Sequence, residues 1–201
     1  MAEEFLFLGG DASVDLVNTT FHRQLPGGAD ELLTSGERAR RWFVQAGLLS
    51  EADAAQLDED TLLHGTRRMR AALDAVYRPL AHRQPDEAST QRGLNVLNAV
   101  LGQGRERLEV KRQGEAFARA SIFEPLGPSD PNVQIARRAA DLLHRLEPHR
   151  LKECENPGCD LIFYDDSRNA SRRWCSMEGC GNQQKQARHR RHVAQKGRTE
   201  S

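Results

Sequence analysis

All four cysteines of this 201-residue chain lie between Cys154 and Cys180, in the order C-x4-C-x15-C-x4-C, and none occurs in the 153 residues before them. Two close pairs joined by a mid-length spacer can bring four thiolates to one tetrahedral centre, and a spacing of four within each pair lies inside the ligand range used for zinc. Disulfides and four unliganded buried thiols are the competing explanations, and both are weaker for an intracellular chain with its cysteines packed into so short a stretch. An iron–sulfur cluster also takes four thiolates, but the pair-spacer-pair pattern lacks the C-x2-C-x2-C run typical of many such clusters. The expectation is therefore one structural Zn²⁺ held by Cys154, Cys159, Cys175 and Cys180.

The residues between the cysteines say what the metal would hold. Glu155-Asn156-Pro157-Gly158 is turn-forming and reads as a knuckle. Leu161 to Tyr164 is a strand candidate, Asp165 to Ala170 a polar loop, and Arg172 to Trp174 a return strand into Cys175. Phe163 and Trp174 are expected to cover the metal. Knuckle, hairpin and following helix make a treble-clef order, in a module too small to fold on its own core without the ion.

After Cys180 the chain turns into a helix former with no acidic residue from Gly181 to Thr199. Lys185, Arg188, Arg190, Arg191, Lys196 and Arg198 fall within it. Asn182, Lys185, Gln186, His189, Arg190 and Val193 recur along one side, combining amide and cationic groups suited to base edges and phosphates. Arg172, Arg173, Asn182, Lys185, Arg188, His189, Arg190 and Arg191 are thus the candidate nucleic-acid contacts. Two alternatives stand beside that reading. A charged terminal helix can simply be solvated. Arg172, Arg173 and Lys185 can also offset the formal charge of −2 on a Zn²⁺ with four thiolates.

The zero net charge of the whole chain hides a division. Residues 1–149 hold 18 Lys and Arg against 22 Asp and Glu, whereas residues 150–201 hold 11 against 7. A basic end beside an acidic body suits a protein of which one part meets phosphate. Within the body the apolar spacing is mainly helical. Val14, Val17 and Phe21 recur at helical spacing, Thr34 and Glu37 suggest a capping box, and Gly47 is placed to end the helix that follows. Ser50 and Asp53 repeat the capping pattern. Longer stripes run over 60–83 and 86–101, and 107–124 alternates as a β-hairpin before a turn-rich link and a helix bearing Ile135, Ala139 and Leu142. Pro148 marks the domain boundary. The expected class is α+β: a mainly helical domain with a β-hairpin (1–148), a treble-clef-like zinc finger with a basic helix (149–196), and a disordered tail (197–201).

No run approaches the ~18 apolar residues of a membrane span, and the start lacks a signal-peptide pattern, which points to a cytoplasmic protein. An enzyme is not expected. Four thiolates leave zinc no open position for water. H-E-x-x-H, a deaminase-type H-x-E, the P-loop motif and a G-x-S-x-G elbow do not occur. Duplex DNA is the expected partner, with RNA as the alternative. A further alternative is small-molecule binding by the body, with Asp15, Asn18, His22 and Arg23 as pocket residues and the zinc module purely structural.

CENPGC, LIFYDDSRNASRRWCSMEGC and GNQQKQARHRRH, from Cys154 to His192, resemble the CGNR zinc finger. The resemblance implies zinc on Cys154, Cys159, Cys175 and Cys180 in a treble-clef-like module. The name-giving Arg is replaced here, because Cys180-Gly181-Asn182 is followed by Gln183. Val14-Asp15-Leu16-Val17-Asn18-Thr19 and, more loosely, Trp42 to Leu49 resemble the ABATE domain that precedes this finger in stress-induced bacterial transcription regulators. The resemblance implies a body that senses a small molecule or a protein partner.

Overall fold

Helix α4, Glu59–Ala81, is the element on which the body assembles in the computed structural model, which describes residues 5–21, 30–125 and 130–199, with 125 and 191–199 by backbone alone. Asp58 caps it by accepting from the Thr61 amide at 2.9 Å. Leu62, Met69, Leu73, Val76 and Tyr77 form its buried stripe. Against that stripe pack α1 (Ala12–Val17), α2 (Gly36–Gln45), α5 (Glu87–Leu101) and α6 (Asn132–His144), while α3 (Glu51–Ala55) packs on α2. Each apolar side chain of Val or Leu size withdrawn from water in this way stabilises the fold by about 1.5–3 kcal/mol. The α4–α5 approach depends on Gly93, where a Cβ would lie 2.4 Å from the Ala72 carbonyl oxygen.

Local signals in the sequence are met with small shifts. Ser50 caps α3 through the Asp53 amide, and Gly47 follows α2 with φ of +68°. The cap of α2 is Ser35, accepting from Arg38, not the expected Thr34. Phe21 does not extend α1. With Thr20 it forms β1 (Thr20–Phe21), paired antiparallel with β2 (Asp30–Glu31), and the Thr19 hydroxyl has turned back onto the Leu16 carbonyl to end the helix. Strands β3 (Gly104–Gln113) and β4 (Ala116–Pro125) form the expected hairpin, joined by Gly114 at φ of +66° and Glu115.

The C-terminal part begins with a 3-10 turn, Pro148–Arg150, and β5 (Leu151–Glu153), which pairs antiparallel with β6 (Ile162–Tyr164). This corrects the expected return strand. Arg172 to Trp174 is irregular, and the partner of β6 precedes the knuckle, so the knuckle is itself the hairpin loop. Side chains take the place of a ladder along 170–172: the Lys152 ammonium donates to the Ala170 and Arg172 carbonyls, and the Arg172 amide donates to Asp165. A π-type turn, Met177–Gly181, leads into α7 (Asn182–Thr199), which covers the first three residues of the stretch expected to be a disordered tail.

Finger and body share a core, because Leu151 and Ile162 lie in the same buried cluster as Leu16, Val17 and Tyr77. Polar ties fix the joint. The Asn18 side chain donates to the Ile162 carbonyl at 2.8 Å and accepts from the Ile162 amide at 3.0 Å. Gly9 accepts from the Tyr164 amide, Leu8 from the Arg172 guanidinium, and Asp160 from Arg78 through its backbone carbonyl. Among the described residues no helix is long and apolar enough to cross a membrane.

Candidate metal centre and nucleic-acid interface

Four sulfur atoms converge where the hairpin loop, the segment after it and the π-type turn meet. Those of Cys154, Cys159, Cys175 and Cys180 all lie within 4.8 Å of one another. Measured separations are 3.8 Å for Cys159 to Cys175 and 3.6 Å for Cys175 to Cys180. A tetrahedron with metal–sulfur bonds of ~2.3 Å has edges of about 3.8 Å, so the geometry suits one Zn²⁺. Without an ion the four thiols cannot all ionise. Hydrogen bonds from the Cys159 and Cys175 thiols hold Cys154 down to about 2, while donation to Cys154 pushes Cys159 up to about 12 and Cys175 far above the ordinary thiol range. A divalent cation removes that conflict by letting all four ionise. The four cysteines therefore fit one structural zinc ion, with Phe163 fully buried beside them and Trp174 packed on the cluster.

The residues around the sulfurs hold the site in shape. The Cys175 amide donates to the Cys154 sulfur at 3.4 Å. Asn156, on the knuckle, donates through Nδ2 to the Cys180 sulfur at 3.2 Å and to Gln183 Oε1 at 3.0 Å, and its Oδ1 accepts from Gln184 Nε2 at 2.7 Å. One buried amide thus joins the knuckle, a ligand and the first turn of α7. Gln183, standing where the family has Arg, serves as a neutral acceptor in that joint. Behind β6, the fully buried Asp165 takes Lys152 Nζ at 2.7 Å, both polar groups of Ser167 and the Arg172 amide. Burial alone would raise its pKa; the Lys152 and Ser167 hydrogen bonds outweigh this and hold it well below the usual carboxylate range.

The candidate nucleic-acid residues divide. Arg172 is spent inside the fold: its guanidinium donates to the carbonyls of Leu8, Trp174 and Cys175 and lies 4.2 Å from the Phe163 ring centroid. The alternative raised for it is to offset the charge of the metal site; its partners are instead backbone carbonyls and a ring. Arg173 is exposed and pairs with Glu155. Asn182 is exposed and donates to the Glu178 carbonyl. Lys185, Arg188, His189 and Arg190 are exposed on α7, and among the described residues no carboxylate pairs with them. The side chain of Arg191 lies outside the described residues, as do His22 and Arg23. Asp15 and Asn18, the other two pocket candidates, are buried and committed to backbone partners.

Asn156, Asp165, Lys152 and the docking role of Asn18 were not read from the sequence as site residues. For Asp165 a signal existed, because Asp165-Asp166-Ser167 is the pattern of an Asx turn. Asn18 and Ile162 are 144 residues apart, beyond any local signal.

Two family models match the chain in succession: ABATE, described as "Putative stress-induced transcription regulator", over residues 10–145, and the CGNR zinc finger over residues 150–192. No curated protein matches it.

Proposed function

Because the chain belongs to the ABATE family and ends in a CGNR zinc finger, we propose that it is a transcription regulator that binds duplex DNA through α7. The observation that carries this is the state of that helix. From Asn182 to Arg190 every residue but Ala187 is polar, and the helix presents Lys185, Arg188 and Arg190 without an acidic residue in the same stretch. A helix with no apolar stripe gains little from its own protein, so its charges suit an external polyanion. Zinc and Asn156 set the direction in which it leaves the body. Such a helix fits the major groove, with arginines on phosphate and the amides of Asn182 and Gln186 near base edges.

The metal has a structural and not a catalytic part in this proposal, since four thiolates leave no site for water. Cobalt substitution checks that point, with a four-sulfur tetrahedral spectrum that added anions leave unchanged as the expected result. Sensing of a small molecule or protein by the body is supported by its attachment to the finger through Gly9, Asn18 and Arg78, which carries any shift of α1 or α4 to β6.

Fluorescence anisotropy at several salt concentrations tests the DNA proposal, with duplex DNA, structured RNA and single strands as probes. The expected result is preference for duplex DNA, with Arg188→Ala plus Arg190→Ala lowering the log–log salt slope by about 2. Equal or tighter binding to RNA, or an unchanged slope in the double variant, would overturn it.

A further inference from the structure

The β3–β4 hairpin extends from the body with two unlike faces and two unlike edges. On one face Arg105, Arg107, Glu109, Lys111 and Glu124 form a chain of ion pairs. The opposite face carries Leu108, Val110 and Phe117, exposed by 57, 74 and 75%, among the charged Glu106, Arg112 and Arg119. Of the ten residues of β3, six are charged, which blunts that edge against pairing. β4 reads Ala-Phe-Ala-Arg-Ala-Ser-Ile-Phe-Glu-Pro, and between its first residue and Phe123 the only charge is Arg119. Neither edge has a strand partner among the described residues. A lone two-stranded hairpin is at best marginally stable, and one with a long, nearly uncharged edge invites another strand.

We propose that β4 pairs antiparallel with β4 of a second copy of this chain, about a two-fold axis at Ala120. The residues of the strand suit a second copy of themselves and favour this register over the two beside it. An axis at Arg119 would set two arginines opposite each other. An axis at Ser121 would place Arg119 against the partner's Phe123 and Ala118 against the partner's Glu124. With the axis at Ala120, Phe117 meets the partner's Phe123, Ala118 meets the partner's Ile122 and Arg119 meets the partner's Ser121, each twice, with no like charges opposed.

A second feature of the body agrees with that register. Phe123 borders a cleft of about 400 Å³ lined in part by Leu49, Pro131 and Val133 and in part by polar and charged side chains, of which Arg137 lies over its ring at 5.6 Å. Pairing at Ala120 brings the partner's Phe117 from the hairpin tip to Phe123 at the mouth of this cleft, where an exposed aromatic ring meets a second ring and the guanidinium of Arg137. The resulting four-stranded sheet leaves only the charged β3 edges outside. It also joins two fingers in one symmetric particle, independently of what the fingers bind.

Light scattering on the zinc-loaded, full-length protein at about 50 μM tests the proposal. The expected mass is twice the 22.6 kDa of the chain. Phe117→Ser, at a side chain the monomer leaves exposed, should halve that mass with zinc content and far-ultraviolet circular dichroism unchanged. Ala120→Glu and Ala120→Lys should each be monomeric, because each places like charges on the axis, and an equimolar mixture of the two should recover the dimer. A monomeric wild-type protein, including one that gains mass only when a different protein is added, would overturn the proposal. So would a dimer that survives both Phe117→Ser and Ala120→Glu.

Discussion

Asn18 does with one side chain what neither part of the molecule does for itself: it satisfies both backbone groups of Ile162, the edge by which the finger meets α1. Removing it leaves a donor and an acceptor buried without partners, at roughly 1–3 kcal/mol for each. Denaturation of zinc-loaded Asn18→Ala should show a loss of that order, and Asn18→Asp should not repair it, since a carboxylate cannot donate to the Ile162 carbonyl. A loss below about 0.5 kcal/mol would show that the joint rests on apolar contact alone. Asp15, one turn earlier, accepts from the Gly9 amide at 2.6 Å, yet its burial outweighs that bond and pushes its pKa up to about 7. An acid whose pKa is raised by folding holds its proton more tightly in the native state, so it removes stability as pH rises from about 4 to 7. Asp15→Asn keeps an acceptor for Gly9 and abolishes the titration. Relative to that variant, the wild-type protein should lose roughly 2–4 kcal/mol between pH 4 and 8. Parallel stability curves for the two would refute the assignment.

Among the elements, α4 and α5 show why propensity is a poor guide at a close approach. Alanine is the better helix former, but at position 93 its methyl would collide with the Ala72 carbonyl and with Val76. Gly93→Ala should therefore destabilise the protein by about 1–3 kcal/mol in thermal or chemical melts. A gain in stability would mean the two helices part at little cost. The sequence made most elements legible where the signal was local. Cysteine spacing located the metal site, Ser50 and Gly47 marked helix ends, and the alternation through Leu108 and Val110 marked a hairpin. It failed where partners are distant in the chain. By sequence order β6 pairs with Arg172 to Trp174, which follow it, whereas in the fold Leu151–Glu153 takes that place and carries Leu151 into the common core. Arg172 looked like a phosphate ligand because composition does not reveal that three carbonyls and a phenyl ring surround its guanidinium.

At the scale of the whole molecule, a metal centre, a shared core and a projecting cationic helix form one sequence of dependence. Zinc closes the knuckle, the knuckle positions Asn156, and Asn156 seats the first turn of α7, while β5 and β6 connect the same centre to the body. Loss of the ion should therefore unseat the helix and remove part of the body's stability, since metal-binding energy in so small a module is folding energy. Chelator titration followed by duplex-DNA binding on the same samples tests this dependence most directly. The expected course is loss of one zinc per chain in step with loss of salt-sensitive binding, both restored when zinc is returned. Zinc-free protein that binds duplex DNA with the same affinity and the same salt slope as the loaded form would contradict it.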